Sequence, residues 1–175
     1  MKAGKNISIT IRTEKEEDFP QVEEVLRQAF AGEEEVVLVD KLRKNGNYIS
    51  LVAFVDQKIV GHIFFSPARI KSSKGVEDAL AFAPVAILPS YQNQGIGTIL
   101  IEKGLDESRK QGHQIVTVLG HPEYYPRFGF VMASSKGIGA PFSWSDEAFM
   151  ILILQEGALN GVKGVVSYPP EFGGF

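Results

Sequence analysis

The stretch YQNQGIGTIL (residues 91–100) lies between an apolar run, ALAFAPVAIL (79–88), and a mixed segment, IEKGLDESRKQ (101–111). The apolar run predicts a strand in the middle of a covered sheet. In the mixed segment Leu100, Ile101 and Leu105 share one face and charged residues share the other, which predicts an amphipathic helix on that sheet. Gly95 and Gly97 at this strand-to-helix junction therefore serve either a turn or a ligand that contacts the main chain.

The start of the predicted helix has the properties of an anion site, because its first N–H groups are unpaired and lie at the positive end of the helix dipole. The spacing is not that of a P-loop, since no Gly-Lys-Ser/Thr follows, nor that of a dinucleotide fingerprint, since the third glycine is missing. Two interpretations stay open: a packing turn, or a phosphate loop in which Gly95 and Gly97 admit the phosphate. In the second, neutral hydrogen bonds come from the side chains of Gln92, Asn93, Gln94 and Thr98.

The first half of the chain predicts two helices and a hairpin. ISITIR (7–12) alternates as a half-buried strand, and apolar residues recur at helical spacing over residues 16–31. EEEVVLVDKLRKNG (33–46) predicts a second helix, and YISLVAFV (48–55) with KIVGHIFFSPARI (58–70) predicts a hairpin with DQ as its turn. KSSKGVED (71–78) is interpreted as a polar turn.

The second half of the chain adds a parallel strand. QIVTVLG (114–120) is a buried strand joined to ALAFAPVAIL by a helix, so these two strands are predicted to run parallel. FGFVM (128–132) and AFMILIL (148–154) are predicted strands. No regular structure is predicted for the Gly- and Pro-rich tail.

Composition limits the classes of function. A chain of 175 residues with a net charge of −3 has no basic surplus, so we expect neither nucleic acid nor a membrane as a partner. The absence of cysteine excludes disulfides and thiolate chemistry and fits a cytoplasmic protein. No apolar run reaches the roughly 18 residues of a membrane span. Three scattered histidines lack ligand spacing, so no metal is predicted.

Two motifs in order carry a resemblance to a known family. VAILPSYQNQGIGTILIEKGL (85–105) resembles the acetyl-coenzyme A signature of the GCN5-related N-acetyltransferases (GNAT), Gln/Arg-x-x-Gly-x-Gly/Ala, here running from Gln92 to Gly97. EYYPRFGF (123–130) is similar to the family's short helix, with Tyr125 four residues ahead of Gly129-Phe130. The resemblance covers residues 7–130. It implies a single domain over residues 1–175 of the α/β (α+β) class, with a mixed, mostly antiparallel sheet, two splayed parallel central strands and helices on both faces.

The resemblance also implies that acetyl-coenzyme A is the co-substrate. Backbone N–H groups of residues 93–98 would bind its pyrophosphate, and the strand end would offer main-chain hydrogen bonds to its pantetheine arm. The residues implied in cofactor binding are Val85, Ala86, Ile87, Gln92, Asn93, Gln94, Gly95, Ile96, Gly97 and Thr98. Ala83-Pro84 is either the bulge that splays the two strands or an edge feature, since proline cannot join a central ladder.

Acetyl transfer to an amine needs a neutral amine, a donor for the developing oxyanion and a proton source for the thiolate. By resemblance Tyr125 would protonate the thiolate, and a backbone N–H near Ala86 or Ile87 would polarise the carbonyl. The alternative for Tyr125 is aromatic core packing.

A lysine-like amine is charged at neutral pH, so a base or a water chain must take its proton. The two central strands contain no carboxylate where family members often have a glutamate, and GHPEYY (120–125) is shorter than the family's asparagine-containing segment. The base candidates are His121 and Glu123, then His62. Each histidine has a structural alternative, as a solvated or capping loop residue for His121 and as a hydrogen-bonded strand residue for His62.

The acceptor side is predicted less sharply. The glutamates of GEEEVV (32–37) either attract a cationic amine or form a solvated helix start. Phe142 and Trp144 occupy a loop that flanks the acceptor cleft or covers a sheet edge, and Arg127 is expected to form a structural ion pair.

The sequence as a whole predicts transfer of acetyl to a primary amine, on a small molecule or a peptide, by direct attack in a ternary complex. A homodimer is expected by family analogy. The alternatives are a GNAT-like module that binds acetyl-coenzyme A or coenzyme A as a sensor or partner with little turnover, and an unrelated nucleotide-binding protein.

Overall fold

A mixed β-sheet organises residues 7–141 and 143–173, the part of the chain that the computed structural model describes. Within these residues the sheet has nine strands, in the order β1-β2-β3-β4-β5-β8-β6, with β9 pairing with both β3 and β7. The strands are β1 (Ile9–Thr13), β2 (Ile49–Val55), β3 (Lys58–Ser72), β4 (Gly75–Ile87), β5 (Ile115–Leu119), β6 (Val131–Met132), β7 (Ile138–Gly139), β8 (Phe149–Ile153) and β9 (Gly164–Ser167). The helices are α1 (Phe19–Phe30), α2 (Glu34–Lys44) and α3 (Ile96–Lys110).

Two hairpins build the first half of the sheet. Asp56 and Gln57 both have positive φ, 48° and 64°, the conformation of a two-residue hairpin turn between β2 and β3, as predicted. The polar turn predicted over 71–78 was wrong, because β3 and β4 stay paired from Arg69 opposite Asp78 to Ser72 opposite Gly75. This end of the hairpin, residues 69–78, is mostly exposed. Its residues are therefore mostly polar on both faces and do not show the apolar–polar alternation that predicts a half-buried strand.

The predicted parallel pair is confirmed, and it is short. Parallel pairing joins β4 and β5 at Leu80 with Val116 and at Ala81 with Thr117. Directly beyond, β4 has one residue more than β3, since residues 83–84 lie opposite a single β3 position. Ala83-Pro84 is therefore a bulge in a central strand, and past it β4 and β5 separate.

Helices cover both faces of the sheet. An added Cβ at Gly61 would lie 3.4 Å from Leu100 of α3, and one at Gly104 of α3 would lie 2.7 Å from the Phe65 ring, so α3 packs closely on that face. His62 points to the opposite face, because successive strand residues alternate. There its Nε2 lies 3.6 Å from Glu14, which is ion-paired with Arg43 of α2.

The helix bounds differ slightly from the predicted ones. A 3₁₀ turn, Glu16–Asp18, precedes α1, and Pro20 lies in the first turn of that helix. The helix ends at Phe30, one residue before the end of the predicted helix, because Ala31 takes the left-handed conformation with φ of 54°. None of the helices formed by the described residues has the length and hydropathy of a membrane span.

The last third departs most from the prediction. FGFVM yields only the two residues of β6, because Phe128 ends a 3₁₀ turn, Tyr125–Phe128, and Gly129 turns the chain with φ of 97°. AFMILIL forms β8, antiparallel to β5. The tail, for which no regular structure was predicted, forms β9 against β3 and a 3₁₀ turn, Pro170–Phe172.

Candidate active site

The glycine stretch forms an open helix N-terminus. Gly95 takes the left-handed conformation with φ of 82° directly before α3, and Asn93 also has a positive φ of 60°. The N–H of Ile99 donates to the Gly95 carbonyl at 3.2 Å. The N–H groups of residues 96–98 precede this bond and have no acceptor within the helix, so they form an anion site at the positive end of α3.

The polar side chains of this loop hold its shape. The Gln92 amide donates to the Ile87 carbonyl at 3.0 Å, and the Gln94 amide donates to the Ser90 carbonyl at 3.1 Å. These two amides therefore stabilise the loop itself, which leaves the main-chain N–H groups and the side chains of Asn93 and Thr98 as the donors that the loop can present to an anion.

The end of β4 presents a free edge next to the loop. Val85, Ala86 and Ile87 pair with β3 on one side, and the Leu88 N–H donates to the Val60 carbonyl at 2.8 Å. Because backbone groups alternate in direction along a strand, those of Ala86 also point toward β3, whereas those of Val85 and Ile87 point toward the gap to β5. An extended ligand in this gap meets both backbone groups of Val85 and the N–H of Ile87 as an added strand would, while the Ile87 carbonyl already accepts the Gln92 amide.

The tyrosine turn, which comprises Tyr124 and the 3₁₀ turn Tyr125–Phe128, lies beside the N-terminus of α3. The Tyr124 hydroxyl is 3.4 Å from Thr98 Oγ1, and a Cβ added at Gly97 would lie 3.6 Å from the same hydroxyl. The Arg127 guanidinium lies 4.3 Å from the centroid of the Tyr124 ring, and its Nε donates to the Tyr124 carbonyl at 2.9 Å. The ion pair predicted for Arg127 is not found among the described residues.

Tyr125 is buried, with 8% of its surface exposed. Its ring centroid lies 5.8 Å from that of Phe82 and 5.8 Å from that of Phe130, both in edge-to-face contact. An added Cβ at Gly120 would lie 2.3 Å from the Tyr125 ring, so only glycine fits there. Burial raises the pKa of Tyr125 to about 12, and the hydroxyl therefore stays protonated at neutral pH.

Tyr125 lines a cavity of about 430 Å³ where β4 and β5 separate. Pro84 and Val85 of β4 and Leu119 of β5 line it from the sheet. The first two helices contribute Phe30, Glu35 and Leu38 to the lining, and the second half of the chain contributes His121, Tyr125, Trp144, Tyr168 and Phe172. The cavity is in the size range of small-molecule sites.

The three base candidates lie in different surroundings. His121 lines the cavity with Tyr125, and the Tyr124 N–H donates to its carbonyl at 3.1 Å. Glu123 is exposed and lies outside the cavity lining. His62 is fully buried, with Nε2 2.8 Å from Ser50 Oγ. Burial, and secondarily the charge of Arg43, lowers the pKa of His62 to about 3, so its imidazole is neutral and enclosed.

The acidic segment at the start of α2 divides between two roles. Glu33 is ion-paired with Arg27 at the surface, which agrees with a solvated helix start. Glu35 lines the cavity. Trp144 also lines it, with 51% of its surface exposed, whereas Phe142 lies outside the described residues.

Sequence reasoning missed the contribution of the tail. Tyr168 and Phe172 flank two prolines and follow no helical or strand period, so no pattern singled them out. Tyr168 follows β9, and its hydroxyl lies 3.3 Å from Thr117 Oγ1 of β5; burial raises the pKa of Tyr168 to about 12. Within the described part of the chain, no group of three or more His, Cys, Asp or Glu side chains could hold a metal ion.

Comparison with known proteins identifies the family and the fold. A family model for an acetyltransferase (GNAT) domain matches residues 10–133. The uncharacterised N-acetyltransferase YhbS of Escherichia coli K12 is 34% identical over 169 residues, covering 94% of this chain and 99% of YhbS. YjhQ of the same strain, also an uncharacterised N-acetyltransferase, is 38% identical over 134 residues, 74% of each chain.

Solved structures give the same result. The crystal structure of E. coli YhbS in complex with CoA superposes with a TM-score of 0.90 at 32% identity, over 100% of this chain and 97% of that one. A GNAT acetyltransferase from Brucella melitensis in complex with acetyl-CoA has a TM-score of 0.78 at 30% identity, over 95% and 99%.

These matches define the class of the protein as an acetyl-CoA-dependent acyltransferase. The chain belongs to the GNAT acetyltransferase family. The expected fold class, a mixed sheet with a splayed parallel pair and helices on both faces, is confirmed.

Proposed function

We propose that residues 1–175 act as one domain that transfers acetyl from acetyl-CoA to a primary amine by direct attack in a ternary complex. The observation that carries the proposal is the convergence of three features: the open N-terminus of α3, the free edge of β4 and the cavity at Tyr125. An anion site, a strand edge and an enclosed space in this order match the pyrophosphate, the pantetheine arm and the reacting end of acetyl-CoA.

The pyrophosphate is assigned to the N–H groups of residues 93–98. Gly95 and Gly97 support this assignment: the first permits the left-handed turn, and the second leaves open the space into which a side chain would project. The pantetheine arm then follows the gap between β4 and β5, with the backbone groups of Val85 and Ile87 facing it. The relatives with CoA and acetyl-CoA in their crystal structures support this choice of co-substrate.

The reaction forms a C–N bond and breaks the thioester C–S bond. The amine nitrogen attacks the carbonyl carbon, a backbone N–H of the free β4 edge stabilises the developing oxyanion, and the sulfur leaves as a thiolate that takes a proton. Direct attack fits a chain without cysteine, because no thiol can hold the acetyl group between two steps.

Tyr125 is proposed as the proton donor to the thiolate. Its hydroxyl is protonated at neutral pH because burial raises its pKa to about 12. The same surroundings raise the pKa of a thiol formed beside it, since burial disfavours the charged form of both groups. Burial therefore shifts the pKa values of the donor and of the acceptor in the same direction.

His121 is proposed as the base that takes the proton of the attacking amine. It is the candidate that lines the cavity with Tyr125, whereas Glu123 lies outside the lining and His62 is enclosed. Its imidazole can accept a proton in its neutral form, as a base for the attacking amine must.

Initial rates test the order of these events. Thiol release is measured while acetyl-CoA and each of a panel of primary amines are varied together, and acetylated products are identified by mass spectrometry. Intersecting double-reciprocal lines and an N-acetylated product are expected. Parallel lines, with an acetylated protein detected by intact mass in the absence of amine, would contradict direct attack. The homodimer expected by analogy is a separate prediction, checked by light scattering.

A further inference from the structure

The cavity at Tyr125 has a lining that restricts the acceptor. Aromatic side chains reach it from five separate segments: Phe30 of α1, Phe82 of β4, Tyr125, Trp144, and Tyr168 with Phe172 of the tail. Phe82 and Tyr125 are already in edge-to-face contact, at 5.8 Å between centroids. Surfaces of this kind bind flat rings through stacked and edge-to-face contacts, in addition to the apolar area that they bury.

One carboxylate faces this aromatic space. Glu35 lines the cavity, while the neighbouring Glu33 is ion-paired with Arg27 and Glu171 accepts a hydrogen bond from Asn45 at 2.9 Å. Among the described residues of the lining Glu35 is the only acidic side chain. One negative charge complements one ammonium group, whereas a polyamine carries several charges that this lining does not match.

We propose that the acceptor is an arylalkylamine, a primary amine separated by a short alkyl chain from a flat apolar ring. The ring contacts the aromatic side chains of the lining, Phe30 among them, and Glu35 attracts the ammonium before its proton is lost. This inference rests on the proposed function for the fate of the amine, but the recognition of the ring is a binding property that can be measured alone.

Binding to the protein saturated with CoA tests the inference without turnover. 2-Phenylethylamine, n-hexylamine and spermidine are titrated by calorimetry into this complex, and the ring-bearing amine is expected to bind about tenfold more tightly than the linear one. Equal binding of 2-phenylethylamine and n-hexylamine, or tighter binding of spermidine, would overturn the inference.

Two variants with matched controls locate the contacts. Phe30→Leu keeps an apolar side chain and removes the ring. The ratio of the affinity for 2-phenylethylamine to that for n-hexylamine is therefore expected to fall about threefold or more in this variant. Phe54→Leu, which lies outside the cavity, is expected to leave the ratio unchanged. Glu35→Gln is expected to weaken 2-phenylethylamine about threefold and leave uncharged 2-phenylethanol unaffected, and Glu102→Gln on α3 is its control. Losses that are equal in a variant and its control would contradict the assignment.

Turnover then separates this inference from the function on which it rests. Selective binding of 2-phenylethylamine without acetylation would support the site and remove the proposed function. Acetylation of n-hexylamine or spermidine in preference to 2-phenylethylamine would retain the function and overturn the acceptor class.

Discussion

Replacement of Tyr125 by phenylalanine removes one hydroxyl and keeps the ring contacts. The ring packs edge-to-face on Phe82, Tyr124 and Phe130 at centroid distances of 5.8, 5.2 and 5.8 Å, and Phe preserves all three. No hydrogen bond joins the hydroxyl to another described residue. We therefore expect the free energy of unfolding to change by less than about 1 kcal/mol.

The expected loss is in turnover. A positioned acid contributes about 10²- to 10⁴-fold to a rate, so kcat is expected to fall by that factor, or about 2.7 to 5.4 kcal/mol in the barrier. The dissociation constant of acetyl-CoA is expected to stay within about twofold of wild type, because the proposed pyrophosphate and pantetheine contacts are untouched.

Stopped-flow thiol release and calorimetry measure the two quantities separately. Tyr124→Phe is the matched control, since this neighbouring hydroxyl lies 3.4 Å from Thr98 Oγ1 and outside the cavity lining. Because the pKa of Tyr125 is raised to about 12, no alkaline loss of rate from Tyr125 is expected below about pH 11. If Tyr125→Phe turned over at the wild-type rate, or if Tyr124→Phe lost most of its turnover instead, Tyr125 would not be the proton donor to the thiolate.

Two further predictions concern the buried polar network beside α2. The pKa of His62 is lowered from 6.5 to about 3 in the folded protein, so between these pH values the imidazole is protonated in the unfolded chain only. The contribution of His62 to the free energy of unfolding is therefore present in full above pH 6.5 and is lost as the pH decreases. The slope of that loss approaches about 1.4 kcal/mol per pH unit. Chemical denaturation between pH 5 and 7 measures the slope, and His62→Gln is expected to flatten it; an unchanged slope would contradict the assignment. Arg43→Met leaves the carboxylate of Glu14 buried without its partner, so the free energy of unfolding is expected to fall by about 3 to 5 kcal/mol. Adding Glu14→Gln to this variant is expected to recover much of the loss. A loss below about 1 kcal/mol in Arg43→Met alone would contradict a buried ion pair.

Much of the sheet and of the glycine loop before α3 follows from local sequence signals. Continuous apolar runs predict the buried strands, and the helix between two of them predicts their parallel direction. Gly95 with its positive φ marks the helix start because no other residue takes that conformation so readily. These signals follow one another along a single continuous stretch, residues 79–120, which is why pattern reasoning finds them.

The cavity depends on contacts that no local pattern encodes. Tyr168 and Phe172 come to Tyr125 only because β9 pairs with β3, a contact across about 95 residues of chain whose short, partly exposed strand has no alternation. Likewise, His121 lines the cavity and Glu123 does not because of the way in which the tyrosine turn packs. Adjacent loop residues give no sequence signal for the direction of their side chains.

Calorimetric binding of acetyl-CoA to wild type and to Gly97→Glu tests whether the start of α3 binds the pyrophosphate of this co-substrate. A Cβ at Gly97 has its nearest contact at 3.6 Å, so the variant is expected to fold, while its carboxylate enters the anion site at the start of α3. Gly32→Glu, where an added Cβ would be 4.0 Å from the nearest atom, is the matched control for the added charge. Binding that is selective over ATP, weakened more than about tenfold in Gly97→Glu and unchanged in Gly32→Glu is the predicted result. Equal affinity of Gly97→Glu and wild type would contradict the assignment of the pyrophosphate to this loop.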